Sequence, residues 1–155
     1  MSPSHSSTVA CRTSSSSDRR IVRTIGALMV VVAVSLAVAA TVHLSGQVHG
    51  RAKSFDADGA GVAEAIIGIV VAVGALAVLR RSSKARTIVL TTTCFAIIGF
   101  AGGLTFTTQG GAWPDIAYHL TVLPILIASL IVLVRVDPSA FRPDTSPKDR
   151  DQVRA

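Results

Sequence analysis

Cysteine and any recognisable catalytic signature are what this chain of 155 residues most lacks. Its two cysteines, Cys11 and Cys94, are too few for a disulfide framework. Cys11 lies in a polar tail and Cys94 midway along an apolar run, so Cys94 is expected as a small buried hydrophobe. No HExxH or paired-carboxylate motif is present, and there is no Ser-His-Asp arrangement, phosphate loop or dinucleotide fingerprint. Neither tail carries a lipidation motif. Also missing is the period-2 or period-3.6 striping by which a soluble domain distributes its apolar residues. Without it there is no room for a separate soluble domain.

What is present is hydrophobicity in blocks. Half the residues are hydrophobic, and they gather in four runs at roughly 24–44, 59–79, 87–106 and 116–134. Each run is about 20 residues, enough to cross a hydrocarbon core of ~30 Å at ~1.5 Å per residue. The expected fold is therefore an all-α, up-down-up-down four-helix transmembrane bundle over 21–135. It is flanked by a disordered Ser-rich tail at 1–20 and a disordered charged tail at 136–155.

A net charge of +6 points to nucleic acid only when the cations form a patch on a folded domain. Here 13 of the 15 cations lie before the first run, between the second and third, or after the fourth. Only Arg51 and Lys53 fall in the other connections. The positive-inside rule then puts both termini in the cytoplasm of a cell whose cytoplasmic membrane holds the protein. The partner this implies is the lipid bilayer and not nucleic acid. The first run follows a basic segment, and Ala37-Val38-Ala39 has the form of a cleavage site. Its length, about 20 residues against the roughly 7–15 of a signal peptide's apolar region, favours a retained helix.

Local signals place the helix ends. Asp58 is expected to cap the second helix with Gly59 starting it, Trp113 to anchor at the interface, and Pro114 to occupy the first turn of the fourth. Asp56-Ala57-Asp58-Gly59 lacks the other ligands of a calcium loop and reads as a turn and cap. His49, Arg51 and Lys53 read as a solvated loop. Pro124 frees the carbonyl of Leu120, where a kink is expected. Small residues recur at three- and four-residue spacing: Ala33, Ala37 and Ala40; Gly61, Ala65, Gly68, Ala72 and Ala75; Ala96, Gly99 and Gly103. They are packing seams, either within one chain or towards a second copy or another membrane protein.

Threaded in alternating directions, the runs bring His43, Glu64, Asp115 and His119 towards one membrane face, the outer one. Glu64 stands out because it lies beyond the first turn, where the helix N-terminus itself favours anions, and a carboxylate in hydrocarbon needs a partner, water or a proton. Asp115 and His119, spaced i, i+4, share a helix face. Tyr118 adjoins them, and His43 shares a face with Ser35 and Ala39. Several readings fit this outward-facing cluster. It is a structural hydrogen-bond network, a proton or cation relay in an accessory or solute- or ion-handling membrane component, or a metal or haem site. In the metal reading His43, His119 and Glu64 are ligands with Asp115 behind an imidazole; in the haem reading His43 and His119 are axial. No cofactor is required by the residues present, and no catalytic residue is assigned.

The stretches HLSGQVHG, FDADGAGVAEAIIG and GGAWPDIAYHLTVLPILIASL resemble small four-span membrane proteins of high-GC bacteria, over about 42–134. That resemblance implies a fold and no activity. Size and span count are also similar to the small multidrug resistance transporters, which use one intramembrane glutamate in a dimer. Those carry it in the first span, whereas Glu64 is in the second.

Overall fold

The computed structural model describes residues 16–48, 51 and 56–141. The chain folds into α1 (Ser16–Leu44), α2 (Ala57–Leu79), α3 (Ala85–Thr108) and α4 (Trp113–Arg135), followed by a 3-10 turn at Pro138–Phe141. Among the described residues there is no strand. All four helices are long and apolar enough to cross a membrane.

Both ends of the helical region are more ordered than the composition suggests. Residues 16–20, expected in the N-terminal tail, are part of α1. Asp18 sits in its first turn, where the helix dipole favours an acid, and Val22, Ile25 and Met29 continue the buried stripe towards that end. Residues 136–141, expected in the C-terminal tail, are also structured. Val136 and Phe141 are buried, the Asp137 carboxylate accepts from the Ser139 amide at 2.8 Å, and the turn rests on α1 and α3. Burial of the Phe141 ring is the physical reason. The rest of both tails, with Cys11, lies outside the described residues, as do His49 and Lys53.

The N-cap of α2 is Asp56 and not Asp58. Its side chain accepts from the Gly59 amide at 3.0 Å, and the helix begins at Ala57 with Asp58 in the first turn. An aspartate two residues earlier reaches the third amide of the helix, which one at position 58 cannot do. The α2–α3 link opens with a Schellman pair: Ser82 N–H bonds Ala77 C=O at 3.0 Å and Arg81 N–H bonds Val78 C=O at 3.1 Å. That closure puts Arg81 at φ 50, a left-handed position usually given to glycine. α4 runs unbroken through Pro124.

Helix packing follows chain order: α1 lies on α2, α2 on α3 and α3 on α4, while α1 and α4 barely touch. Met29, Leu36, Val71, Val89, Phe100, Leu126 and Leu133 form the centre of the core. The outer surface is apolar, with Ile69 66% and Ile98 72% exposed, as a lipid-facing helix surface requires. Cys94 is on that outer surface and not buried. α3 turns Thr93 and Ala96 fully inward, so the residue after Thr93, about 100° further round the helix, faces out.

The seam residues Gly61 and Gly68 are used within the chain, against α1. A Cβ on Gly61 would stand 3.0 Å from the His43 Cβ and 3.2 Å from the Ala40 carbonyl oxygen. Hydrocarbon gives helices no hydrophobic drive to associate, so this close approach is what van der Waals packing between them rests on. Gly61→Leu should therefore part α1 from α2 and lower stability by about 1–3 kcal/mol, read as thermal unfolding in detergent. Gly102→Leu, where an added Cβ meets nothing within 4 Å, should be tolerated. Equal loss in both variants would rule out close approach at Gly61 as the cause.

Candidate functional site

The end of α1 meets the starts of α2 and α4, and three of the four sequence candidates come together there. His43, in the last turn of α1, is 2% exposed; Glu64, in the second turn of α2, is 6% exposed. The imidazole Nδ1 lies 2.8 Å from Glu64 Oε2 and 3.1 Å from the Ala39 carbonyl oxygen. Its Nε2 lies 3.4 Å from Oδ2 of Asp115, in the first turn of α4. One imidazole thus stands between carboxylates from two other helices. Gly61, one turn before Glu64, allows this by letting α2 come against the His43 Cβ.

The acceptors decide where protons sit. A peptide carbonyl only accepts, so Nδ1 carries a hydrogen, donated to Ala39 and Glu64 together. The longer Nε2···Oδ2 contact then needs a proton from one side or the other. Either His43 is an imidazolium between two carboxylates, or it is neutral with Asp115 protonated. Metal ligation suits this arrangement poorly. Both nitrogens of His43 are engaged, so it has no lone pair to offer without giving up a bond to an acid. Pairing His43 with His119 as axial ligands meets the same obstacle. Among the described residues no group of three or more His, Cys, Asp or Glu side chains is arranged to hold a metal ion.

His119, also 6% exposed, does not join that network. Its Nδ1 donates to the Asp115 carbonyl one turn back at 2.8 Å, which leaves Nε2 as the acceptor nitrogen. Nε2 faces α3 at Gly103, where a Cβ would collide with it. The ring stacks at an angle on Phe100, centroids 5.2 Å apart. His119 and Glu64 both line a groove of about 550 Å³ between α2 and α3, with Ile66, Phe95, Gly102 and Phe106 among its walls.

Other polar groups take partners that the sequence does not specify. The Tyr118 hydroxyl pairs with Ser35 Oγ at 2.7 Å rather than with either histidine. With His43–Asp115 it links α1 to α4, whose backbones hardly meet. Arg51 is not simply solvated. Its backbone N–H bonds the Gly110 carbonyl at 2.6 Å, its Nε bonds the Gly111 carbonyl at 2.7 Å, and its guanidinium lies 4.5 Å from the Trp113 ring centroid. It ties the first connection to the third, immediately before Asp115. Thr92 and Thr93 bond back to the Ile88 and Val89 carbonyls. The groove had one sequence signal: Phe95, Gly99, Gly102 and Phe106 recur at helical spacing on one face of α3.

Comparison with known protein families, with characterised proteins and with solved structures finds no match. Function therefore rests on the geometry of the cluster and the groove.

Removing His43 leaves Glu64 buried without its donor. His43→Ala should cost on the order of 3 kcal/mol, and the double variant His43→Leu/Glu64→Leu should recover most of that, measured by unfolding in detergent. A double variant as unstable as the single one would show that the pairing is not what the single change disrupts.

Proposed function

We propose that this chain is a small integral protein of the cytoplasmic membrane, an up-down-up-down bundle with both termini cytoplasmic. In this reading it is an accessory or solute- or ion-handling component whose working part is the outward-facing cluster of His43, Glu64 and Asp115. The observation that carries the proposal is the imidazole held between two acids from different helices, at the end of the helices where only two of the fifteen cations fall. Such a unit holds one proton that His43 Nε2 and Asp115 can share, with Glu64 accepting from Nδ1. Loss of that proton to the outside, and its return, would break and remake the His43–Asp115 hydrogen bond. Moving that proton loosens or tightens the contact of α1 with α4, which is slight apart from this bond and Ser35–Tyr118. That couples protonation to helix position.

Orientation is supported by the distribution of cations alone, so it needs its own measurement. In a cysteine-free background, Ser45→Cys should react with a membrane-impermeant maleimide added to intact cells, and Ser83→Cys only after lysis. The opposite pattern would invert the bundle and place the cluster inward.

Proton handling is tested in proteoliposomes with an entrapped pH indicator and an imposed membrane potential. Proton entry should exceed that of empty liposomes and fall to their level in Glu64→Gln, which keeps a hydrogen-bonding side chain but cannot ionise. Entry equal to that of empty liposomes, or unchanged by Glu64→Gln, would count against the His43–Glu64–Asp115 cluster as the proton path.

A further inference from the structure

The α2–α3 groove beside the cluster combines apolar walls with acceptors at one end. Ile66, Ile67, Phe95, Ile98 and Phe106 supply the walls of its roughly 550 Å³. Glu64 and His119, each 6% exposed, supply the polar end. The His119 tautomer, set by its bond to the Asp115 carbonyl, turns an acceptor nitrogen towards Gly103, which also lines the groove. Glu64 uses Oε2 to accept from His43, and as a carboxylate it has a second oxygen to accept with.

Gly102 adds an independent observation. Glycine inside a helix costs about 0.5–1 kcal/mol relative to alanine, and is usually repaid where another backbone comes close. At Gly61 and Gly103 the neighbouring helix explains it. At Gly102 an added Cβ meets nothing within 4 Å among the described residues, yet the residue lines the groove. Its smallness keeps the groove open and serves no contact within the chain.

We propose that this groove binds a hydroxyl-headed lipophile, a quinol or long-chain alcohol, entering sideways from the bilayer. Its hydroxyl donates its one hydrogen to His119 Nε2, and its ring or chain lies on the Phe95–Phe106 face of α3. A bare hydrocarbon chain would fill the walls but offer the polar end of the groove no donor. A hydrated ion would match the acceptors but not the walls. Only a molecule with a donor at one end and an apolar body satisfies both. Binding of this kind does not depend on proton movement through His43, so it goes beyond the relay reading.

The test uses the full chain in phosphatidylcholine nanodiscs, with empty nanodiscs as the partition reference and no pH gradient. Decylubiquinol, kept reduced under anaerobic conditions, and decylubiquinone share one tail, but only the quinol can donate. The quinol should be retained about tenfold more tightly than the quinone, the worth of roughly one hydrogen bond to a buried acceptor. Gly102→Leu should weaken quinol retention by at least about tenfold by filling the groove. His119→Phe, which keeps the ring, should abolish the preference for quinol. Competition by dodecanol, and not by dodecane, extends the class to simple alcohols; resistance to dodecanol restricts it to quinols. Equal retention of quinol and quinone, or quinol retention undiminished in Gly102→Leu, would overturn the proposal and leave a cleft filled by lipid tails. The readout contains no proton flux, so its failure is separable from failure of the relay.

Discussion

The bond between His43 and Glu64 is the contact on which that end of the bundle depends. A carboxylate about two turns past a helix start cannot rely on the helix dipole alone, and hydrocarbon offers it no water. The imidazole across from it answers that need at 2.8 Å. It does so only because Gly61 lets α2 approach the His43 Cβ. Apolar packing and polar pairing are therefore not independent here, since the glycine sets the distance and the pair makes use of it. Asp115 then extends the pairing to α4, which the hydrophobic core by itself joins only weakly to α1.

A division of labour between the two histidines follows from a single difference in hydrogen bonding. His43 has both nitrogens directed at acids, so its ring responds to the protonation of its neighbours. His119 is tied to its own helix carbonyl and held by Phe100, which fixes its tautomer and points an acceptor towards α3. Asp115 serves both, through its side chain to His43 and through its backbone to His119. Arg51, clamped to Gly110, Gly111 and Trp113, holds the connection that leads into that residue. The cluster and the groove are thus adjacent units sharing Glu64 and α4, one suited to holding a proton and the other to receiving a donor.

Much of this was legible in the residues, and the misreadings have local causes. The four runs and their approximate ends came from hydropathy, which each helix carries in its own residues. Asp58 reads as the cap from sequence because spacing within a short acidic stretch does not reveal which aspartate reaches the third amide. Cys94 was expected inside because it lies midway along a run apolar all round, where nothing local marks which side faces lipid. Phe141 looked like tail because a single aromatic among prolines and charges carries no periodicity, and only a surface to bury it on makes it structural. Arg51 looked solvated because its acceptors are backbone carbonyls sixty residues away, which composition cannot display.

By itself the sequence determined how many helices are long and apolar enough to cross a membrane, and the level along them at which His43, Glu64, Asp115 and His119 occur. Hydropathy and position along a helix are properties of neighbouring residues, so they can be read without a fold. Tertiary structure alone decided that His43 takes both acids, that His119 turns away to line a groove, and that Tyr118 pairs with Ser35. Those outcomes depend on rotation about each helix axis and on how closely two helices approach. In these helices, apolar on nearly every side, that is set by where Gly61 and Gly103 meet the side chains of another helix.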